Sequence, residues 1–179
     1  VDRLGQANRI ARLILAHGDV RSVLDHFSKP GDPLAVGPVN RNFQGYCSHD
    51  AGDLIGFGVS AISSIGDVYV QNDKVLEGYY RRMEHGELPV VRGIELDEDD
   101  FVRREAIQSL MCDFRRDWNR LDATRGIDSR RWLADAADGL AALAQAGAVR
   151  VDDAGITVLP RGRLLVRAVA MAFDRYLAR

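Results

Sequence analysis

The sequence has little of several residue types that mark particular classes of protein. Of its 179 residues, only 2 are lysine, 2 are cysteine and 5 are proline. Arginine supplies the other 22 basic residues, and 26 acidic residues bring the formal net charge to -2. Such a balance excludes the global basic field that attracts nucleic acid or anionic lipid.

Long apolar runs are also missing. Charged residues interrupt every run well below the roughly 20 apolar residues that a membrane helix needs, and no secretory signal pattern opens the sequence. With 46% hydrophobic and 28% charged residues, the composition excludes disorder and predicts one globular domain, or one and a half small ones. We therefore expect a cytoplasmic protein, and the start at Val1 within a helical pattern predicts a piece of a longer chain.

The two cysteines give no metal motif. Cys47 and Cys112 are 65 positions apart, and neither has a second cysteine or a histidine close by in sequence. Cys47 has no neighbouring base to activate it, so it is not expected to be a nucleophile. Cys112 falls within an amphipathic helical pattern, where a small buried cysteine is common.

The first part of the sequence predicts alternating helices and strands. Residues 6–15 form a helical apolar stripe that ends at Gly18, and residues 21–27 predict a short strand. Residues 29–46 contain three of the prolines and predict a long loop of the kind that is often functional. Residues 53–64 are apolar on nearly every side, which favours a fully buried parallel strand. This order is typical of a β/α protein.

The remainder predicts a helical domain with one β-hairpin. Strands at 149–152 and 156–159 surround a turn at 153–155. Helices are predicted at 75–83, from the acidic run at 95–100 onward to Trp118, at 129–146 and at 161–177. Their expected inward residues are, in chain order, Ile107, Leu110, Met111, Phe114 and Trp118, then Trp132, Leu133, Ala136, Leu140, Leu143 and Ala144, and lastly Leu164, Leu165, Ala168, Ala172, Phe173 and Leu177.

Two histidine–aspartate pairs have competing interpretations. Asp25-His26 and His49-Asp50 could meet at the mouth of a barrel as a metal site or an acid/base pair. Alternatively, His26 is a hydrogen-bonded structural residue and His49 lies in solvent.

The predicted order of helix, hairpin and helix at the end of the chain also resembles a winged-helix DNA-binding module. Arg161, Arg163 and Arg167 supply positive charge there, whereas Asp152, Asp153 and Asp174 offset it. Packing against another domain explains the same pattern better.

Several motifs, taken in series, resemble one enzyme family. They are LDHF (24–27), RNFQGY (41–46), DLIGFGVSAISSIGD (53–67), YVQN (69–72), VVRGIEL (90–96) and RGRLLVRAVAMAFDRYL (161–177). From about residue 18 to the end, the chain resembles the C-terminal part of the oxygen-independent coproporphyrinogen III oxidases, which are radical S-adenosylmethionine (SAM) enzymes.

The resemblance implies a fold and an activity. The expected fold is α/β and then mainly α: residues 1–72 would be the last part of a partial β/α barrel, and residues 73–179 a helical domain with a small, winged-helix-like hairpin. The family oxidatively decarboxylates two propionates of coproporphyrinogen III to give protoporphyrinogen IX, by way of a 5'-deoxyadenosyl radical. It uses an electron donor, a 4Fe-4S cluster and two SAM molecules. The three-cysteine cluster motif of the family is absent from this sequence, so the chain alone is expected to be inactive and to depend on a missing N-terminal half.

Residue roles are implied at three positions. Ile62 matches the family isoleucine that lines the site of the second SAM. Arg41 and Gln44 are candidates for contact with the substrate's carboxylates, because guanidinium and amide groups donate hydrogen bonds to carboxylates. The loop differs from the family at Cys47 and Ser48, where threonines are expected. A haem-carrying chaperone of the same superfamily remains an alternative, and a winged-helix DNA-binding module is a less favoured one.

Overall fold

A computed structural model describes residues 3–21, 26–48 and 52–177. The chain divides into two compact units. The first, called the split unit, combines residues 1–49 with residues 102–179. The second, called the inserted unit, is residues 50–101. The domain boundary expected at residue 72 stays a prediction.

The inserted unit contains a three-stranded antiparallel sheet of β5 (Ile62–Ile65), β6 (Val68–Asn72) and β7 (Val90–Glu95), in the order β5-β6-β7. Strands β5 and β6 are joined by the two residues Gly66 and Asp67, and Gly66 has a φ of +57°, which suits a tight hairpin turn. The register places Ile62 opposite Gln71, and it shifts between Gln71 and Asn72. Helix α3 (Leu76–Glu84) lies between β6 and β7 in sequence.

The split unit contains most of the helices and a second three-stranded antiparallel sheet. Its first segment has α1 (Arg3–Ala16), β1 (Val20–Arg21), β2 (Phe27–Ser28), α2 (Pro33–Val36), β3 (Asn40–Arg41) and β4 (Tyr46–Cys47). In this segment β1 pairs with β2 and β3 pairs with β4, both antiparallel. Helix α4 (Glu98–Asp113) begins in the inserted unit and continues into the second segment of the split unit. Then follow β8 (Arg115–Asp117), α5 (Trp118–Arg125), α6 (Ser129–Trp132), α7 (Ala137–Gln145), β9 (Val149–Val151), β10 (Gly155–Val158) and α8 (Val166–Met171), with 3-10 helices at Ala134–Ala136 and Pro160–Leu165. The sheet has the strand order β8-β10-β9.

One apolar core holds the second segment of the split unit together. It packs α4 and α5 against the β8-β10-β9 sheet and the last helices, and burial of such side chains is the main stabilising term. Its buried members are Val102, Ala106, Leu110, Met111, Phe114, Trp118, Leu121, Leu133, Ala136, Leu140, Val149, Ile156, Val158, Val166, Val169, Ala170 and Phe173.

Local sequence signals explain where these helices start and stop. Asp117 and Asp128 cap α5 and α6 by accepting hydrogen bonds from the N–H groups of Arg120 and Arg131. Helix α4 ends at Asp113 because Phe114 adopts a left-handed conformation with a φ of +57°. The helix predicted to continue to Trp118 is therefore wrong beyond residue 113, although the expected face at Leu110, Phe114 and Trp118 is buried.

The mixed α/β class predicted from the sequence is confirmed, and so are the helix at 75–83 and the hairpin around 153–155. The fully buried parallel strand at 53–64 is wrong. Only Ile62–Ile65 is a strand, it pairs antiparallel with β6, and Ile55 and Phe57 are exposed. Left-handed backbone at Gly58 and Ser60 interrupts the extended chain before β5.

Two predicted helices are broken or shortened. The segment 129–146 divides into α6, a 3-10 helix and α7, which leaves Trp132 37% exposed instead of inward. The segment 161–177 begins as a 3-10 helix, and in α8, which follows it, Val166 and Val169 are buried whereas the expected Ala168 is exposed. Phe173 is buried as expected. Leu177, expected inside, is exposed.

The first helix is present as predicted and Gly18 follows it with a φ of +87°. Its apolar stripe is uncovered, since Ile10 and Leu13 are both 58% exposed. Among the described residues, no helix has the length and apolarity required to cross a membrane.

Candidate functional site

The best-defined candidate site is the segment that leads into Ile62, residues 54–61, called the 54–61 loop. It begins at Leu54, which exchanges two backbone hydrogen bonds with Ser64 of β5, at 2.7 and 2.8 Å. The chain then leaves the sheet and returns at Ala61, whose carbonyl accepts a hydrogen bond from the N–H of Asn72 at 2.9 Å. The loop is thus closed at both ends by strands of one sheet.

Side chains of the sheet hold the interior of this loop. The side-chain amide of Asn72 donates to the carbonyl oxygens of Gly56 and Gly58, at 3.3 and 2.9 Å. The Ser63 hydroxyl accepts from the N–H of Gly56 at 3.0 Å. Because these partners are backbone groups, the loop conformation depends on polar side chains that face it.

The loop backbone needs this support. Gly58 has a φ of +98° and Ser60 a φ of +62°, and a left-handed conformation is uncommon for a residue that has a Cβ atom. A Cβ atom at Gly56 would lie 2.7 Å from the carbonyl oxygen of Ile62. Only glycine therefore fits at position 56 while the chain passes so close to β5.

The loop that leads into Ile62 exposes apolar side chains. Phe57 is 89% exposed and Ile55 is 61% exposed, whereas Ile62 is half-buried. Ser63 and Ser64, the next residues of β5, are buried. A loop that exposes a large aromatic ring and leads into a half-buried aliphatic residue offers apolar groups to a flat or aliphatic ligand group.

The other two predicted site residues, Arg41 and Gln44, lie in the split unit on the β3-β4 hairpin. Asn42 shapes its turn: its side-chain oxygen accepts from the N–H groups of Gln44 and Gly45, at 2.9 and 3.2 Å. Gln44 is exposed at the turn, and Arg41 is partly buried with its guanidinium 5.7 Å from the ring centre of Tyr46. The residues predicted to be a loop thus form an ordered hairpin.

Helix α4 holds this hairpin. The hydroxyl of Tyr46 donates to the carbonyl of Met111 at 3.3 Å, and the side chain of Gln108 donates to the carbonyl of Arg41. The Arg41 guanidinium lies over the ring of Tyr46, and this cation–π contact restricts its orientation.

The cysteines do not provide a cluster site. Cys112 is buried as expected, and burial, together with the Asp113 carboxylate, raises the pKa of its thiol to about 11. Cys47 is partly exposed on β4. No group of three His, Cys, Asp or Glu residues in the described part of the chain is arranged to hold a metal ion. Since an iron–sulfur cluster is bound by several thiolates, the described residues do not fit one.

The histidine site of the sequence analysis falls largely outside the described residues. Asp25, His49 and Asp50 lie there, while the ring of His26 makes an edge contact with that of Tyr46 at 5.0 Å between centres. The metal or acid/base interpretation stays a prediction.

The hairpin at the end of the chain has an acidic tip. Asp152 accepts from Arg150 at 3.0 Å, and Asp153 from Arg130 at 2.9 Å. Hydrogen bonds from the N–H of Ala154 and then of Gly155 lower the pKa of Asp152, which keeps this carboxylate charged. Negative charge at this position disfavours contact with phosphate groups.

Comparison with known proteins gives related enzymes over nearly the whole chain. The protein is 44% identical over 158 residues to the oxygen-independent coproporphyrinogen III oxidase of Salmonella typhimurium, 86% of this chain and 35% of that protein. It is 41% identical over 179 residues to the enzyme of Pseudomonas aeruginosa, 98% of this chain and 39% of that protein. The chain is homologous to the C-terminal part of the oxygen-independent coproporphyrinogen III oxidases.

A solved structure from this family has the same fold. Coproporphyrinogen III oxidase from Escherichia coli, described as a radical SAM enzyme, matches with a TM-score of 0.88 and 41% identity over 94% of this chain and 40% of that chain. The chain thus spans between about a third and two fifths of the length of these oxidases. No family model matches it.

Sequence reasoning missed Gln71 and Asn72, whose side chains bond the 54–61 loop. Both are buried polar residues at the end of β6, in the YVQN motif that the resemblance to the oxidases includes. A pair of amide side chains after an apolar strand was the available signal, because buried amides require hydrogen-bond partners.

Proposed function

We propose that this chain is the C-terminal part of an oxygen-independent coproporphyrinogen III oxidase. The whole enzyme would oxidatively decarboxylate two propionates of coproporphyrinogen III to give protoporphyrinogen IX. The observation that carries the proposal is the 41–45% identity to oxidases of this name over 86–98% of the chain. The composition keeps the cytoplasm as the predicted location.

The finer fold is part of the same proposal. Residues 1–72 would complete a partial β/α barrel together with an N-terminal half, and residues 73–179 would form a helical, winged-helix-like domain. The β8-β10-β9 sheet among helices α4 to α8 supports the second part. The uncovered stripe of α1, with Ile10 and Leu13, supports the first, because outer helices of such barrels pack their apolar face on strands.

Ile62 would contact the second SAM. Its half-buried aliphatic side chain, with Phe57 exposed on the preceding loop, fits the adenine ring or the methionine chain of that molecule. The chain would orient this molecule through the 54–61 loop and exclude water from one of its sides.

Arg41 and Gln44 would bind propionate groups of the substrate. A guanidinium can donate two parallel hydrogen bonds to one carboxylate, and the exposed Gln44 amide can donate to another. Because two hydrogen bonds join the β3-β4 hairpin to α4, the Arg41 and Gln44 side chains would keep a constant spacing.

The cluster ligands would lie in the N-terminal half, since the described residues do not fit a cluster. When bound, the cluster and SAM would supply the 5'-deoxyadenosyl radical. We therefore expect the 179-residue chain alone to be inactive.

The test compares the full-length enzyme with this chain. Under anaerobic conditions, with SAM and a chemical reductant, the full-length enzyme should convert coproporphyrinogen III to protoporphyrinogen IX, detected by chromatography after oxidation. The 179-residue chain, treated with iron and sulfide, should show neither cluster absorption nor SAM cleavage. Stable haem binding by the full-length protein without turnover would favour the chaperone alternative instead.

Variants test the site assignments. Ile62→Ala should weaken binding of the second SAM, and unchanged binding and turnover would reject the role of Ile62. Arg41→Met should raise the KM for coproporphyrinogen III about tenfold or more, because it removes a charged hydrogen bond to a carboxylate. Val36→Ala is a matched control in the split unit, because Val36 is 72% exposed and has no proposed role.

A further inference from the structure

We propose that Gln71 and Asn72 are positioning residues, which hold the 54–61 loop and thereby set Ile62 in the orientation that receives the second SAM. The inference rests on the proposed function of Ile62. Neither amide would touch SAM or substrate, so both would act through the loop.

The two side chains are directed at the loop although they are neighbours on one strand. Successive side chains of a strand point to opposite faces, but the register of β6 shifts between Gln71 and Asn72. The extra residue of this irregularity lies on β7. Both amides reach carbonyl groups of the same loop: Asn72 those of Gly56 and Gly58, and Gln71 that of Ser60 at 3.0 Å.

Both amide side chains are buried, so losing their hydrogen bonds to the loop would be costly. Gln71 is 9% exposed and Asn72 is 6% exposed, so an amide that lost its loop partner would have little access to water. The orientation of the Gln71 amide is fixed as well, because its oxygen accepts from the Nε of Arg92 at 2.8 Å and its nitrogen must then face Ser60.

The loop could not hold this conformation by itself. Its left-handed residues, Gly58 and Ser60, are separated by only one residue, and such a conformation persists where surrounding contacts determine it. Ser60 is held on both sides, since its N–H donates to the carbonyl of Asp73 at 2.8 Å while its own carbonyl accepts from Gln71.

The hold extends directly to Ile62. Asn72 donates through its backbone N–H to the carbonyl of Ala61, the residue before Ile62. The Ile62 carbonyl also lies where a Cβ atom of Gly56 would be within 2.7 Å. A displacement of the loop would therefore change the space beside Ile62.

The experiment uses the full-length enzyme with near-isosteric variants that lack the amide donors, Asn72→Leu and Gln71→Met. Leu96→Ala is the matched control: Leu96 is buried in the same inserted unit, and its N–H bonds Asp67 at the opposite end of β6. The first readout is hydrogen–deuterium exchange in peptides that cover residues 54–62. The second is the affinity for SAM at each of its two sites, measured anaerobically by equilibrium dialysis.

For both amide variants we expect at least tenfold faster exchange in the loop and about tenfold weaker binding of the second SAM, with the first unchanged. Asn72→Gln, which retains an amide, should recover part of the affinity. Faster exchange with unchanged second-site affinity would overturn the inference, and so would unchanged exchange. Equal weakening by Leu96→Ala would also overturn it, because the effect would then be one of general stability. If the unmodified enzyme binds only one SAM, the proposed role of Ile62 fails first, and the exchange data alone report whether the amides hold the loop.

Discussion

The Tyr46 hydroxyl donates a hydrogen bond of 3.3 Å to the carbonyl oxygen of Met111, which is 65 residues further along the chain. Met111 lies in the last turn of α4, where carbonyl groups lack partners within the helix. One side chain thus satisfies a helix end and holds the hairpin that presents Arg41 and Gln44.

Tyr46→Phe should lower the free energy of unfolding by about 1 kcal/mol, because the Met111 carbonyl loses its partner while the ring is kept. Urea denaturation of the 179-residue chain measures this. Tyr80→Phe is the control, since Tyr80 is 56% exposed and should change stability little. Equal effects of the two substitutions would contradict the importance of this hydrogen bond.

The Cys112 thiol should make stability fall at alkaline pH. Its pKa is raised to about 11 in the folded protein, so between about pH 9 and 11 the unfolded chain releases a proton that the folded protein retains. Stability due to the neutral thiol is therefore complete below pH 9 and is lost as the pH rises, by roughly 2–3 kcal/mol in total. Cys112→Ala should remove this part of the pH dependence, as measured by urea denaturation from pH 7 to 11. An unchanged slope in the variant would show that other groups cause it.

Gly155→Ala should destabilise the β8-β10-β9 sheet strongly. A Cβ atom there would lie 1.9 Å from the carbonyl oxygen of Arg116, and the φ of +155° is itself unfavourable for alanine. We expect the free energy of unfolding to fall by at least roughly 3 kcal/mol. Gly126→Ala provides the comparison, because its φ is +66° but no atom lies within 4 Å of the added Cβ; its cost should be near 1 kcal/mol. Thermal unfolding that ranks the two variants in the opposite order would refute the close approach.

Arg116→Met should be tolerated although Arg116 is nearly fully buried. Its Nη1 lies 3.7 Å from Glu105 and 3.4 Å from Ser109, and its Nε and Nη2 have no hydrogen-bond partner among the described residues. Burial lowers the pKa of this guanidinium, and an apolar side chain of similar size avoids that desolvation. The free energy of unfolding should change by less than about 1 kcal/mol.

Arg103→Met is the contrasting variant. Arg103 bonds Asp135 at 2.9 Å and the Phe173 carbonyl at 3.3 Å, so its loss should cost roughly 2 kcal/mol. If calorimetry finds Arg116→Met the more damaging of the two, the burial argument is wrong.

The spacing of apolar residues in the sequence predicted one buried face of the core and the hairpin near the end of the chain. Leu110, Phe114 and Trp118 are buried as the helical period required, and the alternation around Gly155 gave the hairpin. Spacing could not predict that Phe114 ends α4 in a left-handed conformation, because a large aromatic residue is not expected there.

The candidate site was predicted in part. Ile62, Arg41 and Gln44 came from the resemblance to the oxidases and not from spacing. The hold on the 54–61 loop could not be predicted, because the apolar run at 53–64 concealed the turn at Gly58 and Ser60. That turn accepts hydrogen bonds from Gln71 and Asn72, which are 11 to 16 residues away in sequence and meet the loop through antiparallel pairing.

The division of the chain has a consequence for folding during synthesis. The inserted unit is continuous in sequence, whereas the split unit combines residues on both sides of it. The β3-β4 hairpin therefore leaves the ribosome long before Gln108 and Met111 exist to hold it, and it gains those contacts only after a loop of some sixty residues has closed. The sheet of β5, β6 and β7 can form in the interval, so Ile62 and its loop would be in place before Arg41 and Gln44.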